Sequence, residues 1–445
     1  MANISPFRGL RYNPNGICDL SMVVTAPYDR IDDPEQAAYY DLSPYNFVRI
    51  IRGVHTDHDH ATNNVYTRAN CYKKTWLAEG ALIQDPEPAL YVLDQQFTTS
   101  DGEVHVRRGL TAALRLTRFD EGEVLPHEHT LRGPKVDRLN LTVATEASWG
   151  HIFVLYPDEN QEVNSLLQPF LDGHMPAIVR DQIIEPDVEQ NFWVVNDREL
   201  VNGVVHTMRT KGPLIIADGH HRYETALGYR DDMREQHPDA PHNAAFNYVL
   251  ATFVSMSDPG LVVLPTHRLI HSYEGMTSEA LIQALTPTFD VTTMSDYQTL
   301  QGAMEDADPQ HPRFGFYDGR YLLLTLKRYD DVERLVPDRD PNFQHLDVTV
   351  LHELVLEHVM GLSKESVARR ENLTYLRNAD AGLEAVDEGE ANFLFLLNPT
   401  RMRQIRACTV AGERMPQKST DFYPKVISGM VSLSLEGTID GESWG

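Results

Sequence analysis

Residues 217–224 combine a glycine with charged and imidazole side chains at a predicted junction between a strand and a helix. The apolar run 214–217 predicts a short buried strand, and residues 223–234 predict a helix. Gly219 lets a ligand approach the backbone closely. The first turn of the following helix offers unpaired N–H groups and the positive end of the helix dipole. This junction is therefore suited to an anion such as a nucleotide phosphate.

Three side chains of the junction have the chemistry that a phosphate requires. Arg222 can donate two parallel hydrogen bonds to a phosphate or carboxylate. His220 and His221 add donors whose charge can change near neutral pH. A structural reading remains open, in which Asp218 only caps the helix and Arg222 pairs with Glu224 or another acid.

A second polar cluster has the sequences Leu-Pro-His-Glu-His-Thr and Gly-Pro-Lys-Val-Asp-Arg. In an extended segment, His127 and His129 share one face and Glu128 takes the other. Glu128 has the chemistry of a general base, and Lys135 and Arg138 have that of phosphate ligands. The alternative is a polar loop with surface ion pairs of little energetic value.

A third cluster, residues 415–425, has two prolines, two lysines, two hydroxyls and two aromatic rings. A rigid loop that presents Lys418 and Lys425 would suit a phosphate. The glycine and lysine pattern of a P-loop does not precede it. An ordinary, well-packed connector is the alternative.

The elements that must position these clusters alternate between strands and helices. The predicted strands are 22–25, 47–51, 89–99, 104–116, 151–156, 214–217, 248–256, 261–264, 314–317, 320–327, 393–397 and 426–435. The predicted helices are 66–81, 198–210, 223–234, 278–286, 297–305, 346–360 and 399–408. This mixture predicts an α+β chain, which is a mixed α/β class.

Two prolines at 238 and 241 predict the end of a helix and a soft domain boundary. We therefore expect a first domain over 1–240 and a C-terminal α+β region over 241–445. The second region supplies the 415–425 loop and includes a small α+β subdomain at about 275–340.

Composition restricts the classes of function. The 445 residues include 39 Lys and Arg against 65 Asp and Glu, which gives a net charge of −26. This acidity argues against a nucleic-acid partner, because phosphate backbones require clustered cations. No apolar run is long enough for a membrane span. Three widely spaced cysteines do not indicate a disulfide framework, so we expect a cytoplasmic protein.

The clusters together resemble one known family. The sequences APYD, SPYN, HEHT, LRGPKVDR, ADGHHRYETAL, LPTHR and MPQKSTDFYPK occur in this order along the chain. They are similar to those of the bacterial and archaeal family called domain of unknown function 1015. The ADGHHRY segment also resembles the ParB/sulfiredoxin superfamily, in which the corresponding residues bind nucleotide phosphates. The archaeal free serine kinase has a similar Asp-Gly-His-His-Arg run.

The resemblance implies a ParB/sulfiredoxin-like core, elaborated by N-terminal and C-terminal α+β segments. It implies a nucleotide, ADP or ATP with Mg²⁺ as a candidate ion, and a phosphotransferase that acts on a small hydroxyl metabolite. A free L-serine kinase is its most specific form. The alternative is a non-enzymatic nucleotide-binding switch of the ParB type. The oligomeric state stays open.

The expected roles follow from the chemistry of phosphoryl transfer, which needs positioning, charge neutralisation and a base. Asp29 and Glu128 compete for the base, and Asp218 is a candidate to hold Mg²⁺ or the loop. The phosphate ligands are expected to be Gly219, His220, His221, Arg222, Lys135, Arg138, Lys418 and Lys425. The substrate is expected to contact Tyr28, His127 and Glu224. All of these roles require the three clusters to converge on one site.

Overall fold

The structure is a computed structural model that describes residues 2–99, 102–128 and 133–439, without the side chains of Pro134 and Ala368. His129, a member of the second cluster, lies outside the described residues. The described ranges contain both helices and strands in mixed order, so the predicted mixed α/β class is confirmed.

The strands of the described residues are, in chain order, β1 (Ile4–Ser5), β2 (Leu10–Tyr12), β3 (Leu82–Gln84), β4 (Leu90–Thr98), β5 (Val104–Arg115), β6 (Val124–Pro126), β7 (Ala147–Ser148), β8 (Ile152–Tyr156), β9 (Ala177–Arg180), β10 (Glu189–Val195), β11 (Leu214–Asp218), β12 (Tyr248–Ser255), β13 (Val262–Leu264), β14 (His267–Ile270), β15 (Phe289–Thr293), β16 (Arg313–Tyr317), β17 (Tyr321–Leu326), β18 (Leu373–Leu376), β19 (Phe393–Leu396), β20 (Asp421–Tyr423) and β21 (Leu433–Ser434).

The α-helices are α1 (Asp33–Leu42), α2 (Val48–Ile51), α3 (Val65–Glu79), α4 (Gly133–Thr145), α5 (Glu162–Gly173), α6 (Arg198–Arg209), α7 (His220–Gln236), α8 (Ser278–Leu285), α9 (Tyr297–Glu305), α10 (Asp330–Leu335), α11 (Pro341–Gln344), α12 (Asp347–Thr349), α13 (Lys364–Arg369), α14 (Ala379–Asp387) and α15 (Met402–Val410). Short 3-10 helices lie at Leu20–Met22, Tyr28–Arg30, Phe119–Glu121 and Ala245–Asn247, and a π-helix lies at Val350–Val359.

The chain divides into two compact units. Unit 1 consists of residues 1–126, 130–262 and 424–445, and unit 2 consists of 127–129 and 263–423. Residues 241–262, which we expected in the C-terminal region, lie in unit 1. They do so because β12 pairs with β5 on one side and with β8 on the other.

Unit 1 is built on a nine-stranded mixed sheet. Its strand order is β6-β11-β8-β12-β5-β4-β10-β9, and β1 also pairs with β5. The pairs β11–β6 and β12–β8 are parallel, while β11 and β8 are antiparallel. Every residue of β8 and β12 is buried. Continuous burial of this kind is typical of strands that are covered on both faces.

Helices of unit 1 cover this sheet and carry the predicted site residues. Helices α5 and α6 pack together, and the main core joins their apolar faces to the sheet and to Tyr223 of α7. Helix α4 packs between α3 and α7. This arrangement places the second cluster's lysine and arginine, on α4, beside the helix that follows β11.

Unit 2 contains a six-stranded antiparallel sheet. Its order is β15-β17-β16-β19-β14-β18, and the prediction of strands at 314–317, 320–327 and 393–397 is confirmed. Helices α9 and α14 pack on this sheet through a small apolar core. The predicted helix over 346–360 is confirmed as α12 followed by the π-helix.

Three predicted strands are wrong. Residues 47–51 form α2 instead, whose first turn is fixed by the Asn46 side-chain oxygen, which accepts a hydrogen bond from the Val48 amide. Residues 22–25 make one isolated bridge, from Thr25 to Ser428. Residues 426–435 pair with neighbours one bridge at a time, so only β21 forms. A short apolar run is ambiguous between helix, strand and buried loop.

Among the described residues, the longest and most apolar helices still fall short of what a transmembrane span requires.

Candidate functional site

The β11–α7 junction has the strand–loop–helix form that the sequence predicts. The strand ends at Asp218, and Gly219 follows with a φ of 92° as the N-cap residue of α7. The helix begins at His220, three residues earlier than predicted, so the first turn contains the two histidines and Arg222. The Asp218 side chain is not the cap, because the N-cap position belongs to a glycine without a side chain.

The Asp218 carboxylate lies between two cations. Its Oδ1 accepts a hydrogen bond from Nη2 of Arg222 at 3.0 Å, and its Oδ2 is 2.9 Å from Nζ of Lys425. The exposed fractions of the arginine and lysine side chains are only 13% and 14%. The first and third sequence clusters therefore meet at this carboxylate, within unit 1.

The charges around Asp218 and Arg222 favour the ionised form of both side chains. Burial raises the pKa of Asp218, but the charges of Lys425 and Arg222 outweigh burial and hold the pKa far below its ordinary value. The charge of His220 acts in the same direction. For Arg222, burial lowers the pKa while Asp218 and Asp29 raise it, and the net pKa is raised.

Two glycines form a narrow slot for the Arg222 guanidinium. A Cβ atom on Gly150 would lie 3.2 Å from Cδ of Arg222, and one on Gly219 would lie 3.2 Å from Cζ. Nη1 of the guanidinium also donates to the carbonyl oxygen of His151. The arginine is therefore held by backbone as well as by Asp218. The sequence alone has no signal for Gly150.

Two buried residues that the sequence analysis missed hold the backbone at Lys425. Nε2 of Gln95 donates to the backbone carbonyl oxygen of Lys425 at 2.9 Å. Nη2 of Arg107 donates both to Oε1 of Gln95 and to the backbone carbonyl oxygen of Pro424. Burial lowers the pKa of Arg107 to about 10. The only sequence signal is a charged residue inside an apolar strand.

Arg138 lies over the ring of Tyr28, with its Cζ 3.9 Å from the ring centroid. It donates to Asp137 at 2.7 Å and to the carbonyl oxygen of Ile51 at 2.9 Å. Burial raises the pKa of Tyr28, and the charges of Arg222 and Arg138 oppose this shift. Tyr28 thus connects the α4 arginine with the α7 arginine, and the exposed Asp29 follows it in the same 3-10 helix.

The remaining predicted residues of unit 1 lie on the first turns of α7 and, for Lys135, on the neighbouring α4. Nζ of Lys135 is 2.6 Å from Oε2 of Glu224. His220 and His221 are half-buried. The structural alternative is thus partly correct, because Arg222 pairs with Asp218 and Glu224 pairs with the α4 lysine.

A partly open cavity with about 50 Å³ of accessible space lies beside these residues in unit 1. Tyr28, Arg138 and Arg222 contribute its charged and polar side. Aromatic rings of Trp149 and Tyr229 contribute to the rest of its wall. An apolar and aromatic wall with a few polar groups is typical of small-molecule sites.

The other three predicted residues lie in unit 2. Oε1 of Glu128 accepts hydrogen bonds from the amides of Ser419 and Thr420 at 3.1 and 3.2 Å and from the Thr420 hydroxyl. His127 is buried, and its Nε2 lies 2.7 Å from the same hydroxyl. Lys418 is exposed, with a φ of 56°.

Arg268 is a further buried residue of this second cluster. Its Nη2 donates to the Lys418 carbonyl oxygen at 3.1 Å, and its Nε donates to Nε2 of His352 at 3.2 Å. Burial lowers its pKa to about 10, and the charge of Glu128 opposes that shift. Glu128 and Arg268 together hold the 415–420 loop within unit 2.

In the described ranges, no group of three or more His, Cys, Asp or Glu side chains is arranged to hold a metal ion. A resident metal cage made of protein ligands alone is therefore not a feature of these ranges.

The chain has several similar solved structures, all of low identity. A free serine kinase variant in complex with AMP matches with a TM-score of 0.37 and 10% identity, over 75% of this chain and 92% of that chain. A conserved hypothetical protein from Pyrococcus furiosus matches with a TM-score of 0.34 and 12% identity, over 74% and 95%. SbnI from Staphylococcus aureus, truncated at its C-terminus, matches with a TM-score of 0.34 and 12% identity, over 73% and 87%.

No curated protein has a matching sequence. A family model does match, and it covers residues 4–349, which is most of the chain and includes the junction between β11 and α7. The chain therefore belongs to the family described as "Protein of unknown function (DUF1015)".

Proposed function

We propose that this protein is a nucleotide-dependent phosphotransferase that acts on a small hydroxyl metabolite. The observation that supports this most directly is the group of Arg222 and Lys425 around Asp218, at the N-terminus of α7 and beside a partly open cavity. Backbone amides and two cations meet there, which is the combination that binds phosphate groups.

The charges of this region constrain how a phosphate would bind. Four cations, Arg222, Lys425, Arg138 and Lys135, each have a carboxylate neighbour in Asp218, Asp137 or Glu224. Phosphate oxygens must therefore replace a carboxylate at one or more cations, or arrive with a metal ion. Arg222 and Lys425 place two positive charges around one shared carboxylate, which favours an added anion there.

Mg²⁺ would fit this region only together with the nucleotide. Mg²⁺ commonly takes one or two carboxylates plus phosphate oxygens and water. Asp218 and the exposed Asp29 are the carboxylates in position to supply such ligands, and the ion would neutralise charge on the phosphates.

Asp29 is our choice for the base that accepts the proton of the substrate hydroxyl. It is exposed and lies close enough to Arg222 for its charge to raise the pKa of that arginine. Glu128 instead accepts three hydrogen bonds from Ser419 and Thr420, which occupy its Oε1. In the reaction, the hydroxyl oxygen attacks the terminal phosphorus, the hydroxyl proton passes to Asp29, and the bond to the leaving nucleotide breaks.

L-Serine is the most specific substrate that we propose, on the similarity of the Asp-Gly-His-His-Arg run to that of free serine kinase. The test incubates the full chain with ATP or ADP, Mg²⁺ and L-serine, and follows phosphoserine by mass spectrometry. Glycerol and L-threonine serve as further hydroxyl acceptors. A product with any acceptor supports the phosphotransferase, and only phosphoserine supports the serine assignment.

Variants tie the activity to this site. We expect Lys425→Gln to weaken nucleotide binding about tenfold, which corresponds to one lost charge-assisted hydrogen bond. Lys74→Gln, on the exposed face of α3, is the matched control. Equal nucleotide affinity in both variants would contradict the site. Nucleotide binding without any product would favour the non-enzymatic switch.

A further inference from the structure

The cavity of unit 1 follows one face of α7. Arg222, Thr225, Ala226 and Tyr229 all line it. Their spacing of i, i+3, i+4 and i+7 places them on a single helical stripe. From the first of these residues to the last, the helix rises by about 10 Å. The cavity therefore begins at the proposed phosphate site and continues for two turns away from it.

Along this path the wall changes from charged to aromatic. Arg138, Tyr28 and Arg222 influence one another electrostatically and form the charged side. Trp149 and Phe246 belong to the remaining wall. An apolar and aromatic wall is a poor environment for a small zwitterion such as serine, but it suits a planar ring system.

Thr225 adds a polar group to this wall. Its exposed fraction is 7%, and its hydroxyl has no hydrogen-bond partner among the described residues. Buried hydroxyls are normally paired, so an unpaired one beside a cavity indicates a partner supplied by a ligand. A heterocyclic base or a ribose hydroxyl has the required polar atoms.

We infer that this cavity binds the nucleoside part of the nucleotide, with the phosphates at the N-terminus of α7. The inference rests on the proposed function and adds which part of the ligand occupies which part of the site. The hydroxyl substrate must then approach from outside the cavity, on the side of Asp29.

The experiment compares two ligands by isothermal titration calorimetry on the full chain. ADP has both parts of the proposed ligand, whereas inorganic pyrophosphate has only the phosphates. We expect the wild type to bind ADP at least tenfold more tightly than pyrophosphate. Thr225→Val keeps the shape of the side chain. We expect this variant to lower the affinity for ADP about five- to tenfold and to change the affinity for pyrophosphate less than twofold.

Ala226→Leu places a larger side chain in the same cavity. We expect it to weaken the binding of ADP more than the binding of pyrophosphate. Ala78→Leu, at an exposed position of α3, is its matched control. If Ala226→Leu does not fold, Thr225→Val alone decides the result.

The outcomes separate the two proposals. Equal affinity for ADP and pyrophosphate, or an equal loss of both in Thr225→Val, would overturn the nucleoside cavity and leave the phosphate site intact. Unchanged ADP affinity in Thr225→Val would overturn it as well. If the wild type binds neither ligand, the proposed function fails, and the nucleoside cavity fails with it.

Discussion

At the scale of single residues, the position of Arg222 depends on two neighbouring glycines, which have no side chain to displace it. Gly150 and Gly219 leave space for the arginine side chain, and a Cβ atom at either position would come within 3.2 Å of it. Gly219 has a second reason to be glycine, because its φ of 92° is in the left-handed region. An arginine that is held this closely is prepared for a ligand before the ligand arrives.

We expect Gly219→Ala to lower the free energy of unfolding by more than about 1–2 kcal/mol, which is the ordinary cost of the left-handed conformation for a residue with a side chain. The excess arises because the new methyl group meets Arg222. Urea unfolding measures the effect. Gly80→Ala is the matched control, since Gly80 has a φ of 74° and no atom within 4 Å of the added Cβ. An equal cost in both variants would show that the slot does not constrain the arginine.

At the same scale, residue types were easier to predict than their partners. The sequence indicates that Arg222 and Lys425 have phosphate chemistry, but they lie 203 positions apart, and spacing alone does not bring them to one carboxylate. Gly150 and Gln95 act through backbone contacts that a single sequence does not encode visibly. The sequence analysis named the two cations and their shared carboxylate, and it missed the glycine and the glutamine that also hold them.

At the scale of elements, the β11–α7 junction depends on one ion pair network. The low pKa of Asp218 means that its ionised form stabilises the fold. This contribution is present above the ordinary carboxyl pKa of about 4 and is lost as pH falls below it. The network therefore makes the junction sensitive to acid.

We expect Asp218→Asn to lower the free energy of unfolding at pH 7 by about 3 kcal/mol, because it leaves Arg222 and Lys425 without their shared carboxylate. The variant should also lose less stability than the wild type below pH 4. Urea unfolding at pH 7 and at pH 3.5 measures both effects. Asp239→Asn, at an exposed position, serves as the control. Equal stability of Asp218→Asn and Asp239→Asn would refute the network.

In unit 2, we expect Glu128→Ala to release the 415–420 loop. The amides of Ser419 and Thr420 lose their shared acceptor, so their hydrogen exchange should become at least tenfold faster, which mass spectrometry of the covering peptides can measure. Glu128→Gln keeps an acceptor oxygen and is expected to preserve most of the protection. Unchanged exchange in Glu128→Ala would show that the loop is held by other contacts.

Elements were predicted best where a long pattern repeats. Helix α9 has the predicted bounds, and β4 and β5 pair as the predicted hairpin. The failures are short apolar runs such as residues 47–51, where tertiary contacts decide between a strand and a helical turn. The start of α7 also depends on a backbone conformation at Gly219 that composition does not fix.

At the scale of the whole molecule, net charge limits the partners. The full chain has a net charge of −26, so its acidic side chains outnumber the lysines and arginines that could displace counterions from DNA phosphates. We therefore expect the full chain not to retard duplex DNA in a gel-shift assay at 100 mM salt. A basic DNA-binding domain run alongside is the positive control. A salt-sensitive shift would contradict this expectation and indicate that the protein binds nucleic-acid phosphates.

The two compact units each contain a buried imidazole whose protonation opposes folding. In unit 1, burial and then the charge of Arg222 lower the pKa of His151 to about 3. In unit 2, burial and then the charge of Arg268 lower the pKa of His267 to about 4. An unfolded histidine has a pKa near 6.5, so between these values the unfolded chain binds more protons than the folded chain. Both groups therefore reduce stability as pH falls from about 6.5 towards 4.

His267 offers the sharper test, because its Nδ1 accepts a hydrogen bond from the Leu397 amide at 3.2 Å and must be unprotonated to do so. In His267→Asn, the amide oxygen can accept this bond and no proton is taken up. We expect the loss of unfolding free energy between pH 7 and pH 5 to be smaller in this variant than in the wild type, by roughly 1–2 kcal/mol. His58→Asn, which changes an exposed histidine, should retain the wild-type loss. Burial raises the pKa of Asp347 to about 6, so Asp347 increases stability as pH falls between 7 and 5, opposite to His267. Because Asp347 is present in the variant and in the wild type, their difference reports His267 alone. An identical pH dependence in His267→Asn and the wild type would show that His267 takes up a proton as readily in the folded protein as in the unfolded chain.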